Sequence, residues 1–134
     1  MSARYLLDTN ICIHIRSRRP PHIQVRFAKL EPGEAVLSVI TFGELLFGAE
    51  KSIQRVDAVR RLEELAGAIP VLPLPEGAAR AYGLMRADLE HKGQIVGNND
   101  LWIAAHARAA DLILVTNSER EFRRIHGLRI ENWT

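Results

Sequence analysis

One cysteine stands in 134 residues, which excludes an internal disulfide and points to a reducing compartment. Cys12 lies among Ile11, Ile13 and Ile15, the setting of a buried, inert thiol rather than of a nucleophile. No apolar run approaches the roughly 20 residues of a membrane span. The chain runs straight from its first residues into a strand-like segment ending in an acid, so no signal peptide is expected and the expected location is the cytoplasm. No glycine loop suited to cradling phosphates occurs. No Gly-x-Ser-x-Gly elbow occurs either, which leaves a Ser/His/Asp hydrolase unsupported. The five histidines, His14, His22, His91, His106 and His126, lack metal-ligand spacing and read as structural or exposed. Internal repeats, low-complexity segments and interdomain linkers are absent from the sequence.

What remains is a chain long enough for one domain with a real core and too short for two, so residues 1–134 are expected to form a single unit. Its hydrophobic content of 47% and charged content of 25% are ordinary for a globular protein. A net charge of +2 permits a nucleic-acid partner without arguing for one. Local clusters say more. Arg60 and Arg61 read as a solvated helix face. Arg16, Arg18 and Arg19, and Arg120, Arg123 and Arg124, lie beside acids in sequence and are better placed to hold phosphates.

Hydrophobic period divides the chain into alternating strands and helices. Arg4 to Leu7 reads as a strand stopped by Asp8-Thr9-Asn10, with Thr9 or Asn10 able to cap a helix from Ile11 to about Arg16. Pro20-Pro21 opens a second helix reaching about Leu30. A turn at Glu31–Glu34 leads into the strand Ala35–Ser38, and Thr41 to Glu44 opens a third helix. Ser52 to Ala68 reads as amphipathic, with Ile53, Val56, Val59, Leu62 and Leu65 aligned. Pro70 to Leu74 is a short or edge strand. A helix from about Glu76 to His91 ends at Lys92-Gly93.

The segment Gly97–Phe122 follows. Asp100, Ile103, Ala104 and Ala107, with Ala110 continuing the line, share one helical stripe. Asn98 or Asn99 can cap that helix. Leu112–Val115 has the continuous apolar character of a parallel strand covered on both faces, and an acidic turn with Glu121 follows. Leu128–Ile130 is a last short strand. This order predicts an α/β architecture with a mostly parallel central sheet flanked by helices. In such sheets the functional crevice lies outside the C-terminal strand ends, where Asp8 and the Thr116–Glu121 turn belong and which Asp100 can reach.

Each candidate acid has an ordinary explanation. Asp8 can form an Asx turn or cap a helix. Thr41-x-x-Glu44 is itself a capping-box pattern. Asp100 suits a helix N-terminus through the helix dipole. Glu121 can be a surface acid beside Arg120 and Arg123. Their joint placement is harder to explain this way. Four converging carboxylates would repel and raise one another's pKa values. A hard divalent cation such as Mg²⁺ or Mn²⁺ relieves that repulsion with oxygen ligands, and it can activate water against a phosphodiester.

The motifs Asp8-Thr9-Asn10, Glu44-Leu45-x-x-Gly48, Gly97-x-x-Asp100-x-x-Ile103-Ala104-Ala105 and Thr116-Asn117 with Arg120-Glu121-Phe122 resemble those of PIN-domain nucleases, most closely the VapC-type toxins of bacterial toxin–antitoxin pairs. Gly127 to Trp133 resembles the usual end of one VapC subgroup. The resemblance implies a metal-dependent endoribonuclease that cuts structured RNA such as tRNA and is silenced by a cognate antitoxin, with a homodimer expected. It also implies an acidic pocket of Asp8, Glu44, Asp100 and Glu121. Asp8 and Asp100 would be the firmest ligands for Mg²⁺ or Mn²⁺, Thr116 would position the pocket, and Asn117 would contact a metal-bound water. Many PIN domains carry Asp in the fourth motif, where this chain offers Asn117 and Glu121. Two other readings compete. A receiver-like signalling module that holds Mg²⁺ without hydrolysis wants paired acids after the first strand and a lysine after the last core strand, and this chain has neither. A degenerate RNA-binding fold is opposed by the presence of all four acids.

Overall fold

The structure, a computed structural model, describes residues 2–134. Five strands, β1 (Tyr5–Leu7), β2 (Ala35–Ser38), β3 (Val71–Leu72), β4 (Ile113–Val115) and β5 (Ile130–Glu131), form one sheet in the order β3-β2-β1-β4-β5. Every neighbouring pair is parallel. From β1 at the centre the chain winds outward through β2 to β3, then returns to place β4 on the other side of β1. The switch point therefore lies between β1 and β4, where connections leave in opposite directions and open a crevice at the C-terminal strand ends. Asp8 follows β1 and Thr116 follows β4, so both flank it.

Between the strands run α1 (Thr9–Ser17), α2 (Pro21–Ala28), α3 (Val39–Glu50), α4 (Arg55–Ala68), α5 (Gly77–His91), α6 (Asn98–Ala109) and α7 (Glu119–Phe122). The strands alternate between two cores, as a period of two requires. Leu6, Val36 and Leu114 face one side, with Met85 and Leu89 of α5 and Ile103, Ala104 and Ala107 of α6. Tyr5, Leu7, Leu37 and Val115 face the other, with Ile11, Ile23, Leu45 and Leu62. Burial on both faces is the reason β1, β2 and β4 read as unbroken apolar runs. Full burial of each large side chain contributes about 1.5–3 kcal/mol.

The expected α/β plan is the observed one, with differences at element ends. α4 starts at Arg55 rather than Ser52, because the Ser52 hydroxyl accepts from the Gln54 N–H and holds a turn ahead of the helix. Of the five aligned residues only Leu62 is fully buried, while Ile53 and Val56 stand exposed at 104% and 76%. β3 is both short and at the sheet edge, as its prolines imply. β5 begins later than Leu128, since Gly127 turns with φ of +78° and pairing starts only at the Arg129 carbonyl, which accepts from the Leu114 N–H. Glu121 sits on the short α7 rather than in a turn. Ala110 ends its helix exposed and does not extend the buried stripe.

Candidate metal centre

Helix ends build the crevice. Asp8, not Thr9 or Asn10, caps α1: its Oδ1 accepts from the Ile11 N–H at 2.9 Å. Its other oxygen, Oδ2, accepts from the Thr116 hydroxyl. The capping explanation of Asp8 is thus correct but uses only one oxygen. The residue is 5% exposed, and burial raises its carboxyl above the usual range. The Thr116 and Ile11 donors oppose that rise, and the charge of Glu44 adds to it. Thr116 is itself fixed, because its hydroxyl accepts from the Ser118 N–H at 2.9 Å.

Glu44 does not take part in a capping box. Ser38 caps α3, accepting from the Ile40 N–H at 3.2 Å, and the buried Thr41 hydroxyl has no hydrogen-bond partner among the described residues. The Glu44 carboxylate turns across the crevice instead. Oε1 accepts from the Thr9 hydroxyl at 2.6 Å and Oε2 from the Asn99 amide at 3.3 Å. Neither Asn98 nor Asn99 caps α6, whose cap position is Gly97. Asn98 accepts from the Tyr82 hydroxyl, and the Gly97 N–H donates to Glu121 Oε1 at 3.2 Å. A glutamate from α7 thereby closes the start of α6.

Asp100 is at the electrostatic centre of this set. Burial, then the charges of Glu121, Glu44 and Asp8 in that order, push its carboxyl up to about 6, and a hydrogen bond with Glu121 contributes further. The other three acids named from the sequence, Asp8, Glu44 and Glu121, are thus all near enough for their charges to act on Asp100. Among the described residues no three His, Cys, Asp or Glu side chains already stand at the spacing of a closed metal shell. The donor set is made of hard oxygens, which suits a hard divalent cation and not a thiolate-seeking one.

Thr9 and Asn99 escape a sequence reading as parts of the site, because short polar residues at helix starts read equally well as caps. His14, which in sequence reads as structural or exposed, stands at the rim. Its Nδ1 lies 2.8 Å from the Arg19 carbonyl and its Nε2 3.4 Å from the Asn117 amide. A groove of about 660 Å³ opens from Glu44, Thr9 and Asn99 toward Val39, Phe47 and Lys51. Among the described residues Arg16, Arg18 and Arg19 pair with no carboxylate, whereas Arg60 and Arg61 are held by Asp57 and Arg123 by Glu119. The solvated-face reading of Arg60 and Arg61 is the observed one.

Comparison with known proteins gives a consistent picture. Residues 5–128 match the PIN domain. The chain is 42% identical over 130 residues to ribonuclease VapC2 of Haemophilus influenzae, covering 97% of this chain and 98% of that one. It is 41% identical over 131 residues to the tRNA(fMet)-specific endonuclease VapC of Shigella flexneri, covering 98% of each. Its fold superposes on DNA-bound VapBC from Salmonella typhimurium with a TM-score of 0.92 and 41% identity, over 98% of this chain and 99% of that chain.

Proposed function

The chain belongs to the PIN-domain family, and from that premise we propose that it is a divalent-metal-dependent endoribonuclease, the toxin of a toxin–antitoxin pair, cutting tRNA or another structured RNA in the cytoplasm. The observation that carries this reading is Asp100, a half-buried carboxylate raised to about 6 by burial and three neighbouring acids. Such an arrangement is costly unless a cation occupies it. The names of the relatives, a ribonuclease and a tRNA(fMet)-specific endonuclease, support the reaction class.

In this reading Asp8 and Asp100 hold Mg²⁺ or Mn²⁺, and Glu44 and Glu121 complete the acidic pocket. Bound there, the ion would polarise a phosphodiester oxygen and lower the pKa of a coordinated water. The chain's own residues do the rest. Thr116 fixes Asp8 by donating to Oδ2. Glu121 holds the start of α6, and with it Asp100, through the Gly97 N–H. Asn117 stands exposed at the rim, and the unpaired Arg16, Arg18 and Arg19 are positioned to take phosphates that approach past α1.

A cognate antitoxin and a second copy of the chain are the expected protein partners. Exposed Val39 and Phe47 on α3, Ile53 in the segment that follows it and Val56 in the first turn of α4 support an apolar contact face. The VapBC complexes among the structural neighbours are in keeping with an antitoxin partner. Incubation of the purified chain with total RNA, with and without Mg²⁺ or Mn²⁺, followed by sequencing of the new ends, tests the reading. Discrete cuts that need the ion are expected. An RNA pool left intact with either ion would overturn the proposal.

A further inference from the structure

Glu44 differs from the other acids of the crevice in having both oxygens held by neutral side chains from other helices. Thr9, at the first position of α1, donates to Oε1 at 2.6 Å, and Asn99, in the first turn of α6, donates to Oε2 at 3.3 Å. The two hydrogen bonds span 35 and 55 residues of sequence, so no local turn or cap produces them. Asp8 by contrast takes one donor from its own helix backbone, and Glu121 takes a backbone N–H. Burial does not force this arrangement, because Asn99 is exposed and water could satisfy its amide.

A glutamate has three rotatable side-chain torsions, and its rotamers cost entropy to fix. Thr9 and Asn99 remove that freedom before any cation arrives. They also occupy one lone-pair direction on each oxygen, which leaves the remaining directions to the crevice. We infer that Thr9 and Asn99 are positioning residues of the centre, acting through Glu44 to set its carboxylate for the ion. This rests on the reading of the crevice as a divalent-cation site. Outer donors that orient a ligating or water-binding carboxylate shift metal affinity by roughly ten- to a hundredfold.

The competing role is a purely structural tie among α1, α3 and α6, and metal titration separates the two. The full-length chain, stripped with EDTA, is titrated with Mn²⁺ alone by calorimetry, and each protein is also melted in EDTA. Thr9→Val and Asn99→Ala should each weaken Mn²⁺ binding about tenfold, while Thr9→Ser, which keeps the hydroxyl, should stay within about threefold of the parent. In a Glu44→Gln background, Thr9→Val should add no further loss. Because the two donors lie on different helices, failure of one variant to fold leaves the other to decide. Binding by both Thr9→Val and Asn99→Ala within about twofold of the parent would overturn the inference and leave a structural tie. A parent chain with no saturable Mn²⁺ binding would overturn both this inference and the metal reading beneath it.

Discussion

Burial and neighbouring charge tie the protonation of Asp100 to the stability of the fold. Burial and the neighbouring acids push its carboxyl up from 3.8 to about 6, so between those values the native state holds more protons than the unfolded one. Stability from this group is therefore present below about pH 4 and lost as the pH rises through 6. Asp100→Asn removes the dependence. In EDTA the variant should melt near the parent in acid and at or above it near pH 8, even after losing about 0.5 kcal/mol of favourable helix-dipole interaction. His106, buried and held below its usual value, works in the opposite direction but is common to both proteins and cancels in the comparison. A variant that melts below the parent at pH 8 would assign Asp100 to helix capping. Thr116 makes a second case. Thr116→Val leaves the buried Asp8 without its side-chain donor, an expected loss of about 1–3 kcal/mol near neutral pH, while Thr116→Ser should lose little. Urea titrations of the three proteins measure the difference.

At the scale of helices and strands, the sequence is informative wherever period and burial agree. The three strands at the heart of the sheet are buried on both faces, so their apolar runs mark them directly, and the polar residues ending β1 and β4 interrupt those runs visibly. Glu44 is harder to read. Thr41-x-x-Glu44 matches a capping box, and nothing local says that the side chain crosses to α1 and α6 instead. That choice depends on tertiary placement, as do the roles of Thr9 and Asn99. Ile53 and Val56 mislead for a related reason: the period of an apolar line does not reveal whether its partner is the chain's own core or another molecule. The unpartnered Thr41 hydroxyl yields a prediction at this level. Thr41→Val keeps the branched shape, removes a buried polar group without a partner, and should raise stability by about 1 kcal/mol, read as an increase in melting temperature. A decrease would mean that the hydroxyl bonds an internal water. For α1, replacing Arg18 and Arg19 by Ala should weaken RNA binding across sequences. On single-stranded RNA the slope of log K against log salt should shrink by about 0.7 for each phosphate that the variant no longer neutralises. An unchanged slope would make these arginines an ordinary solvated helix end.

For the whole molecule, the sheet order sets the function in place. Starting at the centre and winding both ways, the chain brings the ends of β1 and β4 together and sets the starts of α1 and α6 beside them, with Glu44 of α3 facing them. Acids far apart in sequence then come near enough for their charges to interact, and in the proposed reading a cation would relieve that repulsion. The apolar residues along α3 and its exit lie beside that crevice, with Phe47 68% exposed on the groove that Glu44 also lines. In the proposed reading this crevice cuts RNA only when it holds a divalent ion. The most direct test is the cleavage rate of purified tRNA by the parent and by Asp100→Asn, in EDTA and after restoring Mn²⁺. Cleavage by the parent should be abolished by EDTA and restored by Mn²⁺, while the folded variant should remain inactive in EDTA and, with Mn²⁺ restored, stay slower than the parent by orders of magnitude. Parent cleavage that persists in excess EDTA, or an Asp100→Asn variant that cuts at the parent's rate, would contradict the account.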